Sequence, residues 1–272
     1  MNSALIAFMV LFLSVYLYFL QQRSLDKLKP FFKSHDSVIF LPLFPIALYV
    51  VLALLLGKFD IDLFRRIFLY FGVPACLLYF SNREKPEIQI TDALAIFALW
   101  LPYDLRFMSA SWNLGGSFGF PMNTLCACVF ALIAFGAWRK LDIGLKWRLS
   151  SKDLKTILIT FALLASIIIP LGWGIGFLHF KVTDKVFWQL PLLYLGIFLG
   201  IGIPEELIFR GLGQNMLKTR YGIFRALFVA SIIFGLAHLN NGGFPNYKYA
   251  FLAALAGTGY GYVYHKTKSI VA

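Results

Sequence analysis

Glu205 and Glu206, with Arg210 four residues beyond the second, place three charges in the apolar run Pro204-Glu205-Glu206-Leu207-Ile208-Phe209-Arg210-Gly211. An ionisable side chain at membrane depth costs at least ~2.5 kcal/mol on insertion scales, so such groups are kept where they do chemistry or hold one another. Pro204 suits the first position of a helix, where its missing N–H is not needed. From there, a rotation of about 100° per residue puts Glu206 and Arg210 on one face, in the acid-before-base order that favours an ion pair, and turns Glu205 elsewhere. Arg210 would then neutralise and orient Glu206, while Glu205 keeps a carboxylate for a polar cavity. A second apolar run carries a histidine, in Phe234-Gly235-Leu236-Ala237-His238. An apolar setting disfavours the charged form of a carboxylate and so strengthens it as a base. With His238 in the same cavity, Glu205 would take a proton from a water that His238 orients, and the water would attack a carbonyl with no covalent intermediate. The same residues also admit structural readings, a buried ion pair for Glu206 and Arg210 and a satisfied core histidine for His238.

Other candidates carry less. Asn240, Asn241 and Asn246 follow His238 in a Gly-rich turn and could donate to an oxyanion, but loop capping is the expected role. Gly115-Gly116-Ser117-Phe118-Gly119 satisfies the GxSxG pattern without the strand-turn-helix setting that a nucleophile elbow requires, and reads as a loop. Tyr103-Asp104 lacks the GxGD partner of an intramembrane aspartyl protease, and no HExxH is present. Cys76, Cys126 and Cys128 all lie in apolar segments and read as buried structural thiols. His35, His179 and His265 sit near the ends of apolar runs and are expected at an interface. Asp92, Asp104 and Arg106 are expected in loops.

The elements that must position Glu205 and His238 are apolar helices. The chain has 272 residues, 60% of them hydrophobic and only 14% charged, with a mean hydropathy of +0.75. That composition excludes an ordinary soluble domain. Apolar runs at about 4–20, 38–57, 119–138, 156–180, 187–203, 224–240 and 249–264 can cross a hydrocarbon core of ~30 Å, and shorter ones near 67–80 and 92–103 are tilted, re-entrant or packed inside. The expectation is therefore an all-α, polytopic transmembrane helix bundle of eight or nine spans, with its polar cavity in the C-terminal half. The first run has no positive residue before it and no small-residue cleavage site after it, so it reads as a retained anchor.

A net charge of +12 invites a nucleic-acid reading. The basic residues instead occupy short loops between the runs, and with nine spans 17 of the 25 fall in alternate loops. This is the positive-inside pattern; it places the N-terminus outside and the C-terminus in the cytoplasm, and no nucleic-acid partner is expected. The polar interval Arg139 to Lys155, with Trp138 and Trp147, divides residues 1–150, which carry no motif, from residues 151–272, which carry them all.

The order EExxxR then FxxxH, at Glu205-Glu206-Leu207-Ile208-Phe209-Arg210 and Phe234 to His238, closely resembles the CAAX-protease and bacteriocin-processing family of intramembrane proteases, which includes the type II CAAX prenyl endopeptidases. The resemblance continues through Gly257-Thr258-Gly259-Tyr260-Gly261-Tyr262-Val263-Tyr264-His265-Lys266-Thr267-Lys268-Ser269-Ile270 and covers about residues 187 to 272. It implies a glutamate-type endopeptidase in which Glu205 activates water, His238 is its partner, Arg210 is an organising cation and Glu206 is the second motif glutamate. It implies no cofactor, although the family's older description as metalloproteases keeps zinc in view. The partners expected are a peptide or protein substrate at the membrane and the lipid bilayer; nothing in the sequence sets an oligomeric state. The setting expected is a multi-pass protein of a bacterial inner membrane. The family's last motif, a histidine followed by an asparagine, has no counterpart before Ala272, and the expectation is that the sequence stops short of it. The competing expectations are a non-catalytic family member, such as an immunity factor or assembly partner, and a transporter relaying protons through Glu and His.

Overall fold

The computed structural model describes residues 3–85, 87–105, 107, 122–179, 187 and 189–272. Arg106 and the Gly115–Gly119 pattern lie outside the described residues. Every regular element among them is helical, because the sequence offers long apolar stretches in which only a helix satisfies the backbone internally. The chain divides into two compact units, Met1–Leu145 and Lys146–Ala272.

The first unit contains α1 (Ser3–Phe19), α2 (Gln22–Leu28), a 3-10 turn at His35–Phe40, α3 (Leu43–Leu56), α4 (Ile61–Tyr79), α5 (Ile90–Asp104) and α6 (Met122–Ala131), which runs on as a π-helix over Leu132–Trp138. Local chemistry starts and stops these helices. Asp60 accepts from the backbone N–H groups of Asp62 and Leu63 at the start of α4, and Gly57 ends α3 in the left-handed conformation.

Asp92 was expected in a loop, yet it is fully buried. Its two oxygens accept from Nε and Nη2 of Arg139 at 2.8 Å each, and one of them also takes the N–H of Gln89 at the start of α5. Arg139 then donates to the carbonyls of Arg83, Lys85 and Glu87, so one buried pair pins the connection between α4 and α5. A charge removed from water persists only when partners of this quality surround it. Cys126 and Cys128 are buried as expected, but Cys76 is exposed, because that face of α4 is left uncovered. The half-buried His35 ring packs between Tyr79 and Trp138 at 5.3 and 5.4 Å.

The second unit contains α7 (Ser151–Gly174), α8 (Gln189–Ile197), α9 (Ile203–Glu206), α10 (Asn215–Leu236) and α11 (Tyr247–Thr267). Ser150 and Asp153 form a reciprocal cap on α7. Lys146 joins Asp153 to the carbonyl of Thr267, tying the end of α11 to the start of α7. Helix α11 packs on both α7 and α10. Its approach to α10 is close at Gly235, where a Cβ would stand 2.5 Å from the carbonyl oxygen of Ala250.

Three helical runs among the described residues, His35–Leu56, Ser151–Gly174 and Gln189–Leu236, are by themselves long and apolar enough to cross a membrane; the bent pair α1 and α2 makes a fourth if it counts as one span. The eight or nine spans expected from hydropathy include shorter helices that this measure leaves out. The runs expected at 187–203 and 224–240 are joined in one helical stretch, interrupted only at Gly222 (φ 76°, ψ 169°). Glycine reaches that conformation without a side-chain clash.

Candidate active site

The three motif charges lie on the stretch from α8 to α10, and its backbone is not a plain α-helix. Only Ile203–Glu206 is α-helical there; Phe198–Gly202 before it and Leu207–Gln214 after it are π-helical. Pro204 therefore does not open a helix, as its type suggested. It sits inside a continuous run, because the wider π-turn ahead of it tolerates a residue that has no N–H and crowds the carbonyl of the preceding turn. A uniform 100° wheel holds for one turn only.

The expected pair forms nonetheless. Nη1 of Arg210 lies 3.1 Å from Oε1 of Glu206, off the direction of a true hydrogen bond. Arg210 is 1% exposed and is held by more than that carboxylate. Its Nη2 donates to the carbonyl of Gly257 on α11 at 3.3 Å. Its guanidinium carbon stands 4.2 Å from the centre of the Phe234 ring and 5.4 Å from that of Tyr260. A desolvated cation over an aromatic face gains about 2 kcal/mol or more, so the rings supply part of what water would have given. One turn further, Gln214 donates to the carbonyl of Gly261 at 2.9 Å, and Asn215 to the hydroxyl of Tyr264 at 2.6 Å. These bonds set the register between the motif helix and α11.

Glu205 forms no ion pair with Arg210. It is half-buried, and no hydrogen bond or ion pair to its carboxylate forms among the described residues.

His238 was expected inside a span over 224–240. Helix α10 ends at Leu236, and the buried His238 lies on the turn that follows. Its Nδ1 is 2.7 Å from the carbonyl oxygen of Phe234. A carbonyl only accepts, so Nδ1 carries the proton in this bond. The ring sits against Phe234 at 4.7 Å and against Tyr249 of α11 at 4.8 Å. Tyr249 also lies within electrostatic reach of Glu205 and pairs through its hydroxyl with Asn241. Tyr249 thus packs on one candidate residue and stands near the other.

Residues 187–272 match the model of a family described as type II CAAX prenyl endopeptidase Rce1-like. This is the resemblance that the order of the motifs implied. No curated protein and no solved structure gives a match. The matched segment holds Glu205, Glu206, Arg210 and His238 together with the contacts described above.

Within that segment the asparagines behave as expected of a loop. Asn246 accepts from the N–H of Tyr249 at the start of α11 and donates to the carbonyl of Asn241. Among the described residues no group of three or more His, Cys, Asp or Glu side chains is placed to hold a metal. Glu206 is engaged by Arg210 and Nδ1 of His238 by the backbone, which leaves fewer groups than the three protein ligands of a catalytic zinc. The sequence alone assigned no role to Phe234, Tyr249, Tyr260 or Gln214. Phe234 and Tyr260 stood inside the motif segments, and Gln214 continues the four-residue spacing of Glu206 and Arg210.

Proposed function

We propose that the protein is a multi-pass intramembrane endopeptidase that hydrolyses a peptide bond with a water activated by Glu205 and His238. Glu205 takes a proton from the water, and the resulting hydroxide adds to the carbonyl carbon. The electron pair of the C=O bond moves to oxygen and forms a tetrahedral intermediate. Its collapse breaks the C–N bond, and the departing amine takes the proton held by Glu205. Nε2 of His238 accepts a hydrogen bond from the attacking water and fixes its direction. Arg210 and Glu206 hold the helix that carries Glu205 and touch no reacting atom.

The observation that carries this reading is the division of the two carboxylates: Glu206 lies 3.1 Å from Arg210, whereas Glu205 has no such partner among the described residues. Similarity of residues 187–272 to a family of prenyl endopeptidases supports peptide hydrolysis as the reaction. The substrate class is a peptide or protein segment presented at the bilayer.

The test uses the full chain in proteoliposomes with a library of membrane-anchored peptides in ¹⁸O-water. Each cleaved product should carry one ¹⁸O in its new carboxylate at first turnover, and Glu205→Gln should abolish cleavage while the protein remains in the membrane. Cleavage that survives Glu205→Gln refutes the assignment.

A further inference from the structure

The first unit has a cavity of its own, of about 200 Å³, lined by Phe19, Leu28, Phe32, Phe44, Phe130 and Ile133 among others, all apolar. Phe130 and Ile133 form its buried floor. The wall formed by α2 is fixed in place, because Leu25 packs where a Cβ on Gly136 would stand 2.7 Å from it.

The direction of α2 says what meets the opening. Helix α1 is 17 residues long, about 25 Å at 1.5 Å per residue, and carries exposed Val10 and Leu11, a surface suited to lipid. The segment Gln22–Phe31 turns from it by 88°. With α1 set across the bilayer, a segment turned from it by this angle lies along the membrane surface, and this one has the composition for it. Arg23, Lys27 and Lys33 are exposed, Lys29 is held by Asp26 at 2.7 Å, and the neighbouring Phe31 and Phe40 are exposed apolar groups at the same end. Basic side chains on an interfacial segment attract anionic headgroups, and aromatic ones enter the acyl boundary.

We infer that this groove is a binding site for an anionic glycerophospholipid of the surrounding bilayer, with one acyl chain between α2 and the Phe130–Ile133 floor and its headgroup against Arg23, Lys27 and Lys33. Lys27 and Lys33 are the sequence neighbours of Leu28 and Phe32, which line the apolar cavity, and an apolar cavity with exposed cations on the same segment matches the two ends of such a molecule. The site belongs to the first unit and is independent of the proposed peptidase.

The test is photolabelling of the full chain in nanodiscs by phosphatidylglycerol or phosphatidylcholine with the same diazirine-bearing acyl chain, with the adducts mapped by mass spectrometry. Phosphatidylglycerol should label peptides containing Phe32–Phe44 and Phe130–Ile133 at least fivefold more than phosphatidylcholine. The triple variant Arg23→Gln, Lys27→Gln, Lys33→Gln should bring the two lipids level, and Leu41→Trp, which adds bulk at a residue that also lines the cavity, should suppress labelling by both. Equal labelling of the unaltered protein by the two lipids overturns the headgroup assignment. Labelling unchanged in Leu41→Trp overturns the groove itself.

Discussion

Nδ1 of His238 donates a 2.7 Å hydrogen bond to the carbonyl oxygen of Phe234, one helical turn earlier. The bond does two things at once. It satisfies a carbonyl that the end of α10 leaves without an intrahelical partner, and it places a proton on Nδ1, so that in the neutral ring Nε2 is the accepting nitrogen. Folding and the proposed chemistry therefore use different nitrogens of one ring.

Substitutions at His238 should separate the two uses. His238→Asn can keep a donor near Nδ1 but has nothing at Nε2, so it should fold like the unaltered protein and lose cleavage by about 10²-fold or more, the usual contribution of a positioned acid–base group. His238→Ala should lose both, with a lower melting temperature in detergent. Equal activity of the Asn variant and the unaltered protein would count against a role for Nε2.

The two glutamates should part in the same way. Glu205→Gln should leave thermal stability unchanged, because no ion pair is lost. Glu206→Gln leaves the buried Arg210 without its carboxylate and should destabilise by about 3 kcal/mol, the cost of breaking a buried pair from one side. Denaturation midpoints of both variants in the same micelle check the difference.

Phe234 lies between Arg210 and His238, with its ring 4.2 Å from the guanidinium carbon and 4.7 Å from the imidazole centre. Phe234→Leu keeps the backbone carbonyl and most of the volume but removes the π-face, worth about 1–2 kcal/mol. Cleavage should fall about tenfold, and Phe234→Trp should retain more activity than Phe234→Leu. Steady-state kinetics of the two variants decide the point.

Gly235 is where α10 and α11 touch. Gly235→Ala sets a methyl group 2.5 Å from the Ala250 oxygen and 2.7 Å from the Ala254 side chain, and should destabilise by about 1–3 kcal/mol through overpacking. Gly257→Ala leaves more room, its nearest neighbour being the Cα of Ser231 at 3.2 Å, and should cost less. Thermal melts of the two variants provide the comparison.

In the first unit, Asp92→Asn should release the loop that Arg139 pins. Limited proteolysis between α4 and α5 should become faster by at least tenfold, the ratio expected for a loss above about 1.4 kcal/mol. An unchanged digestion rate would mean that the loop is held by its other bonds.

Much was legible from residue types and spacing. The helical class follows from apolar runs that leave the backbone no partner but itself, and the pairing of Glu206 with Arg210 follows from a spacing of four. Helical periodicity is local, so a local reading recovers it. Asp92 shows where such a reading stops: its partner, Arg139, lies 47 residues away, and no pattern near Asp92 announces it. Pro204 fails for a related reason, since whether a helix starts there or continues depends on a π-turn whose stability comes from packing.

The sequence by itself determined that this is a helical protein made for an apolar solvent, and it singled out Glu205, Glu206, Arg210 and His238 as the candidate site residues. Only the tertiary structure decided their surroundings. Arg210 needed the carbonyl of Gly257 and the rings of Phe234 and Tyr260, His238 needed Tyr249, and these lie on other helices or across a turn. The reason is the range of the forces involved. Hydrogen bonding along a helix ties neighbours in sequence, whereas desolvating a charge or an imidazole calls for partners from whichever part of the chain packing brings near.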